Sequence, residues 1–243
     1  MRLLLASLLL FYSSFLVANT ITVWGEIYPP FGYVEDGKPA GMSSEITTLL
    51  LKTANIEVDQ WIMAPWGRVY LSGTHNPNTL IYTVGRTSDR EDKFFWIGPI
   101  APPGAYLYKL KSRIDIHPKS YDDLKKYVIG GLISGGMTER LIGEGFNVSP
   151  VAKNQQNIHR LIRERVDVII MTSIQMKYYI DELGYDPNVF ESVWSLTNKD
   201  SGQYHIAINK ETDPKTLKML QQAFDEISKN GQLKVIQNRY LVE

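Results

Sequence analysis

Runs of β-branched and aliphatic residues alternate with stretches of helical periodicity along most of the chain. Thr20 to Trp24, Val58 to Met63 and Thr79 to Thr83 read as strands. Between the first two, Ile46, Leu49, Leu50 and Ala54 recur at helical spacing, predicting a helix over Glu45–Ala54 capped by Ser43 or Ser44. The turn dipeptide Asp36-Gly37 predicts a small hairpin pairing Tyr33-Val34 with Pro39-Ala40. Pro65-Trp66-Gly67-Arg68 opens a second helix or loop. Further on, strands are predicted at Tyr106–Leu110, Val128–Ile133 and Val166–Met171, with an edge strand at Val148–Val151. Helices are predicted after Ser120 and Gly136, over Asn154–Arg165 and over Gln175–Leu183. Tyr204–Asn209 returns as a strand, and Asp213-Pro214 starts a helix with Leu217, Leu220, Phe224 and Ile227 on one face. Gly231 stops it before a last short helix, Gln232–Tyr240. Strand–helix alternation of this kind predicts an α/β protein with parallel sheets, here in two successive units.

In such sheets ligands bind beyond the carboxyl ends of the strands. Three segments lie just past predicted strands and are expected to converge on one rim: Glu26 to Phe31, Pro65 to Arg68 and Thr83 to Arg90. The third carries the sharpest chemistry. Gly85 permits close approach of a ligand or backbone, and Ser88 and Asp89 have helix-starting side chains. Arg90 therefore falls on the first turn after a strand, backed by Phe94-Phe95-Trp96. A guanidinium there grips a carboxylate through two parallel hydrogen bonds. The competing reading is a surface arginine neutralised by Asp89, Glu91 or Asp92.

Composition narrows the choice. Lys plus Arg and Asp plus Glu are 26 each among 243 residues, so the formal net charge is zero. That offers neither a basic stripe for nucleic acid nor a polybasic segment for a membrane surface. With no cysteine, disulfides, thiol nucleophiles, thiolate metal sites and a lipid-anchored cysteine are all ruled out. The four histidines (His75, His117, His159, His205) lack metal-ligand spacing, and no metal or cofactor is expected. Arg2 followed by the largely apolar Leu3–Val17 has the form of a signal peptide over residues 1–19, too short for a membrane span of about 20 residues. The expectation is an exported protein.

Six motifs in order carry a resemblance over about residues 20 to 240: YPPF at Tyr28–Phe31, GMSSEI at Gly41–Ile46, RTSDRE at Arg86–Glu91, SGGMTE at Ser134–Glu139, RVDVII at Arg165–Ile170 and NGQLKVIQNRY at Asn230–Tyr240. Together they resemble the periplasmic solute-binding proteins of polar amino-acid ABC transporters, the bacterial family 3 type. PWxR at Pro65–Arg68 and RTxxRE are shared with a less characterised branch. The resemblance implies a type II periplasmic binding protein fold: two α/β lobes, each a mostly parallel sheet flanked by helices, joined by two hinge strands. Lobe 1 would comprise 20–104 plus 205–243 and lobe 2 would comprise 105–204. It further implies Arg90 as the grip for a ligand carboxylate, Thr83 and Gly85 beside it, Tyr28 packed on the ligand, and backbone N–H groups of Gly136 and Met137 from lobe 2. Family members usually place an Asp after the second-lobe strand to pair an α-ammonium; Thr172 stands there, with Glu26 or Glu45 as substitutes. Should Arg68, beside Trp66, and Arg86 join Arg90 in the cleft, the ligand is anionic. The implied function is periplasmic capture of a small polar or anionic ligand by a monomer serving an inner-membrane ABC permease. The alternatives are a periplasmic enzyme of the cyclohexadienyl dehydratase type and a ligand-sensing module for a separate receptor.

Overall fold

Among the described residues the strands pair into two five-stranded sheets and a small hairpin. The structure, a computed structural model, describes residues 20–102, 104–133, 135–197 and 203–240; the expected signal peptide over 1–19 and Ser134 of the glycine motif lie outside them. In chain order the strands are β1 (Thr20–Glu26), β2 (Tyr33–Glu35), β3 (Lys38–Ala40), β4 (Glu57–Ala64), β5 (Thr79–Gly85), β6 (Phe94–Ala101), β7 (Tyr106–Leu110), β8 (Ile129–Leu132), β9 (Val148–Val151), β10 (Val168–Met171), β11 (Phe190–Ser195) and β12 (Tyr204–Asn209). The helices are α1 (Met42–Thr53), α2 (Trp66–His75), α3 (Gly136–Gly143), α4 (Asn154–Ile162), α5 (Ser173–Leu183), α6 (Pro214–Lys229) and α7 (Gln232–Tyr240).

The first sheet has the order β4-β1-β5-β12-β6 and the second β11-β7-β10-β8-β9. In each, four strands point one way and a single strand opposes them. That strand is β12 in the first sheet, antiparallel to both β5 and β6. In the second it is β7, antiparallel to β10 and β11. Each opposed strand is the first one the chain enters after crossing between sheets, which gives the two-lobe α/β fold with two connecting strands. Helices cover both faces. On one face of the first sheet Val23, Leu80 and Tyr82 pack with Ile46 and Leu50 of α1 and Leu220 and Ile227 of α6. On the other, Ile81, Val84 and Ala207 meet Val69 of α2. The second sheet repeats this: Ile169 and Met171 face α4 and α5, while Val168 and Ile129 face Leu141 of α3.

Three local expectations differ. Helix α1 begins at Met42, not Glu45, and its cap position is Gly41 at φ 97° with no side-chain cap. Carbonyls of the YPPF loop serve instead: Met42 N donates to Pro30 O at 2.9 Å and Ser43 N to Phe31 O at 2.8 Å. Ser43 and Ser44 are thus free to turn inward, both fully buried. The segment after Ser120 forms only a short 3-10 turn, Asp122–Lys126. Strands β6 and β11 were not expected; β6 pairs with β12 through Phe94–Ile97 and again at Ala101, with a register slip at Gly98 to Ile100 between them.

Candidate functional site

A cavity of about 900 Å³ opens where the carboxyl ends of the parallel strands of both sheets face one another. The first sheet contributes Glu26 at the end of β1 with Ile27 and Tyr28 beyond it, Pro65 to Gly67 at the start of α2, Thr83 and Gly85 at the end of β5, and Thr87 and Arg90 after that strand. The second contributes Gly136 to Thr138 at the start of α3, Asn154, and Met171, Thr172 and Gln175 around the start of α5. The three rim segments expected from the sequence do converge here.

Arg90 borders the cavity half-buried. Its guanidinium carbon stands 5.5 Å from the Trp66 ring centre and 5.3 Å from that of Tyr70, and Nη1 donates to Gly85 O at 3.3 Å. Its ion-pair contact, with the exposed Asp89, is long at 3.9 Å. Held between two rings and drawn to the end of β5, the group keeps most of its five N–H bonds for another partner. The neighbouring Arg86 does the opposite. It is exposed, its Nε donates to Glu91 Oε2 at 2.8 Å, and its guanidinium stands over Trp96. It does not border the cavity, and neither does Arg68, an exposed residue over Trp24. The convergence of three arginines that would demand an anionic ligand is therefore not what the structure shows. Arg140 also reaches the cavity wall, but it is paired with Glu144 at 2.8 Å.

Thr83 has φ 59°, a left-handed conformation costly for a β-branched residue. It sits where the β5–β12 register slips: Ile81 faces Ala207 and Val84 faces His205, leaving Tyr82 and Thr83 opposite Ile206 alone. A bulge of this kind re-aims side chains beside a site, and the residue borders the cavity.

Glu26 ends β1 and is the one carboxylate among the described residues of the cavity wall. Burial disfavours its charged form and raises its pKa to about 7. Glu45 lies elsewhere, bonded to Arg239 and Tyr240 of α7. Tyr28 and Tyr204 stand near Glu26, both with pKa values pushed up by burial. Tyr28 stacks on Phe31 at 5.4 Å, and its hydroxyl donates across the cleft to Gln175 Oε1 at 3.2 Å. Thr172 borders the cavity, yet its hydroxyl is used locally: it caps α5 by accepting from Gln175 N at 3.1 Å and donates to Gln175 Oε1 at 3.3 Å. Gln175, Asn154 and Tyr204 are wall residues the sequence reading missed. Thr172 and Gln175 form a T-x-x-Q capping box, a pattern visible in the sequence. Among the described residues no cluster of three or more His, Asp or Glu is placed to hold a metal ion.

Comparison with known proteins adds three findings. The family model of bacterial extracellular solute-binding proteins, family 3, matches residues 21–243. A probable amino-acid-binding protein of Bacillus subtilis (strain 168), YxeM, is 24% identical over 229 residues, covering 90% of this chain and 82% of that protein. Two solved structures share the fold at low identity: a histidine kinase sensor domain with similarity to periplasmic binding proteins (TM-score 0.75, 18% identity, 92% of this chain and 96% of that one) and the P235GK mutant of ArgBP from T. maritima (TM-score 0.73, 19% identity, 93% and 96%).

Proposed function

The chain belongs to the bacterial extracellular solute-binding proteins, family 3, and from that premise we propose that it captures an amino acid or a closely related organic acid in the periplasm. Lobe 1 (20–104 plus 205–243) and lobe 2 (105–204) close over the ligand, and the loaded monomer delivers it to an inner-membrane ABC permease. The observation that carries this reading is Arg90, fixed between Trp66 and Tyr70 on the cavity wall with N–H bonds to spare. It takes the ligand carboxylate. The backbone N–H groups of Gly136 and Met137, at an α3 start without a side-chain cap, approach from the other lobe. Glu26, placed in the cavity where Thr172 offers no charge, takes an α-ammonium; burying that charge unpaired would be costly. Tyr28 and Trp66 pack on the ligand, Thr83 and Gly85 line the cleft beside it, and Thr172 shapes the wall.

The test is a thermal-shift screen with L-arginine, L-histidine, L-glutamine, L-glutamate, succinate and putrescine. A ligand at 100 times its Kd adds about 2.7 kcal/mol of stability. Arg90→Ala should weaken the best ligand by about 3 kcal/mol, more than a hundredfold, because it strands a carboxylate in a closed site. A calorimetric Kd within about threefold of wild type, roughly 0.65 kcal/mol, would remove Arg90 from this role. Preference for putrescine over every carboxylate would overturn the reading.

A second reading rests on Glu26, a cleft carboxyl with a pKa near neutrality and so suited to general acid chemistry. Formation of an aromatic product from prephenate or arogenate, lost in Glu26→Gln, would establish a dehydratase instead.

A further inference from the structure

Gln175 is 2% exposed, borders the cavity, and carries its hydrogen bonds unevenly. Its Oε1 accepts three times: from Thr172 N at 3.2 Å, Thr172 Oγ1 at 3.3 Å and Tyr28 Oη at 3.2 Å. A backbone N–H can only donate, so the amide atom facing Thr172 N must be the oxygen. That leaves Nε2 as the other terminus, and it is buried with no hydrogen-bond partner among the described residues. Proteins rarely leave a buried amide donor unpaired. Every oxygen that Thr172 and Gln175 bring to this corner is engaged in the cap of α5 or with Tyr28. What α5 has left to offer is a donor.

We propose that Gln175 is a specificity-determining ligand contact: its Nε2–H bonds donate to a carboxylate or carbonyl oxygen of the ligand while Oε1 holds Tyr28 across the cleft. This rests on the solute-receptor reading and deepens it. The ligand lies with an oxygen-bearing end toward α5 and, where it has an ammonium group, that group toward Glu26 on the other lobe. A ligand presenting an ammonium group to α5 meets donor against donor and is rejected.

Gln175→Glu tests this on the full chain. It keeps an oxygen toward Thr172 and Tyr28 and replaces only the donor with an acceptor. At pH 8, where the introduced carboxyl is ionised, calorimetry with the strongest oxygen-bearing ligand of the screen should show binding weakened by about tenfold or more. Tyr28→Phe, which removes the hydroxyl and leaves the amide, should weaken that ligand less. If Gln175 serves only to hold Tyr28, the order reverses: Gln175→Glu binds like wild type and Tyr28→Phe does not, and the proposal fails. A measurement on the wild type guards against misfolding of the variant. The Gln175 side-chain NH₂ resonances should move downfield on saturation with that ligand, and unchanged resonances overturn the assignment. Absence of binding by the wild type to every member of the screen defeats the receptor reading itself, whereas binding that survives Gln175→Glu defeats this inference alone.

Discussion

At the scale of single residues, two arginines four positions apart have opposite fates. Arg86 finds Glu91 within reach and closes a two-point ion pair on the surface, whereas Arg90 is turned between Trp66 and Tyr70 and, among the acids of the described residues, reaches Asp89 alone, at a long 3.9 Å. The sequence showed both guanidiniums among the same acids, Asp89, Glu91 and Asp92. It could not show which pair closes, because that depends on where the end of β5 points each side chain. Glu26 is a parallel case. Its pKa of about 7 comes from burial, and burial is a tertiary property. Since the folded value lies above the ordinary 4.5, the stability Glu26 contributes is fully present below about pH 4.5 and is lost as pH rises through about 7. A ligand ammonium beside it reverses the preference and pulls the pKa down, so binding expels a proton. Affinity for an amino acid should therefore rise as pH increases from about 5.5 to about 8 and then level off. Glu26→Gln should flatten the profile. Calorimetry across that range, in buffers of different ionisation enthalpy, reads both the affinity and the proton; a wild-type Kd independent of pH would take Glu26 out of the ammonium role.

At the scale of elements, most helices and strands follow from periodicity and punctuation: Asp213 caps α6 with bonds from Lys215 N and Thr216 N, as its Asp-Pro start implied. The exceptions have a common cause. Helix α1 starts three residues early because neighbouring loop carbonyls, not its own serines, take the free N–H groups. The released Ser44 hydroxyl then donates to Tyr82 Oη at 3.0 Å inside the core. Strand β6 forms because β12, more than a hundred residues later, pairs with Phe94–Ile97 and Ala101, and the slip between those pairs takes up Gly98 and Pro99. Contacts distant in sequence override local preference in both. The packing beneath β1 is tight enough to measure. A Cβ on Gly25 would lie 1.9 Å from Tyr82 Oη and 2.8 Å from Met63 Sδ, and Tyr82 is fully buried. Gly25→Ala should cost about 1–3 kcal/mol by overpacking, read as a lower Tm in thermal denaturation. A Tm equal to wild type would mean that β1 and β5 have more freedom than this packing allows.

For the whole molecule, the decisive feature is that β12 returns to the first sheet after the second is complete. The two sheets also touch across the cleft. Tyr28 bonds Gln175, Tyr33 lies 6.4 Å from Tyr178 between ring centres, and Ile174 of α5 joins the buried cluster containing Phe31. These contacts favour a closed arrangement. Tyr28→Phe combined with Tyr33→Ala should increase the radius of gyration of the ligand-free protein in X-ray scattering, with saturating ligand restoring it. Scattering identical to wild type would show that closure does not depend on them. What the sequence determined by itself was local: which stretches become strands and helices, and that the segments at Glu26, Pro65 and Thr83 follow strand ends. Those are consequences of spacing between near neighbours. Only the tertiary structure decided that Arg90 and not Arg86 faces the cavity, that Glu26 is its acid, and that Gln175, a residue of its wall, keeps a buried donor without a partner among the described residues. Burial and hydrogen-bond pairing depend on groups far apart in the chain, and the spacing of residues does not encode them.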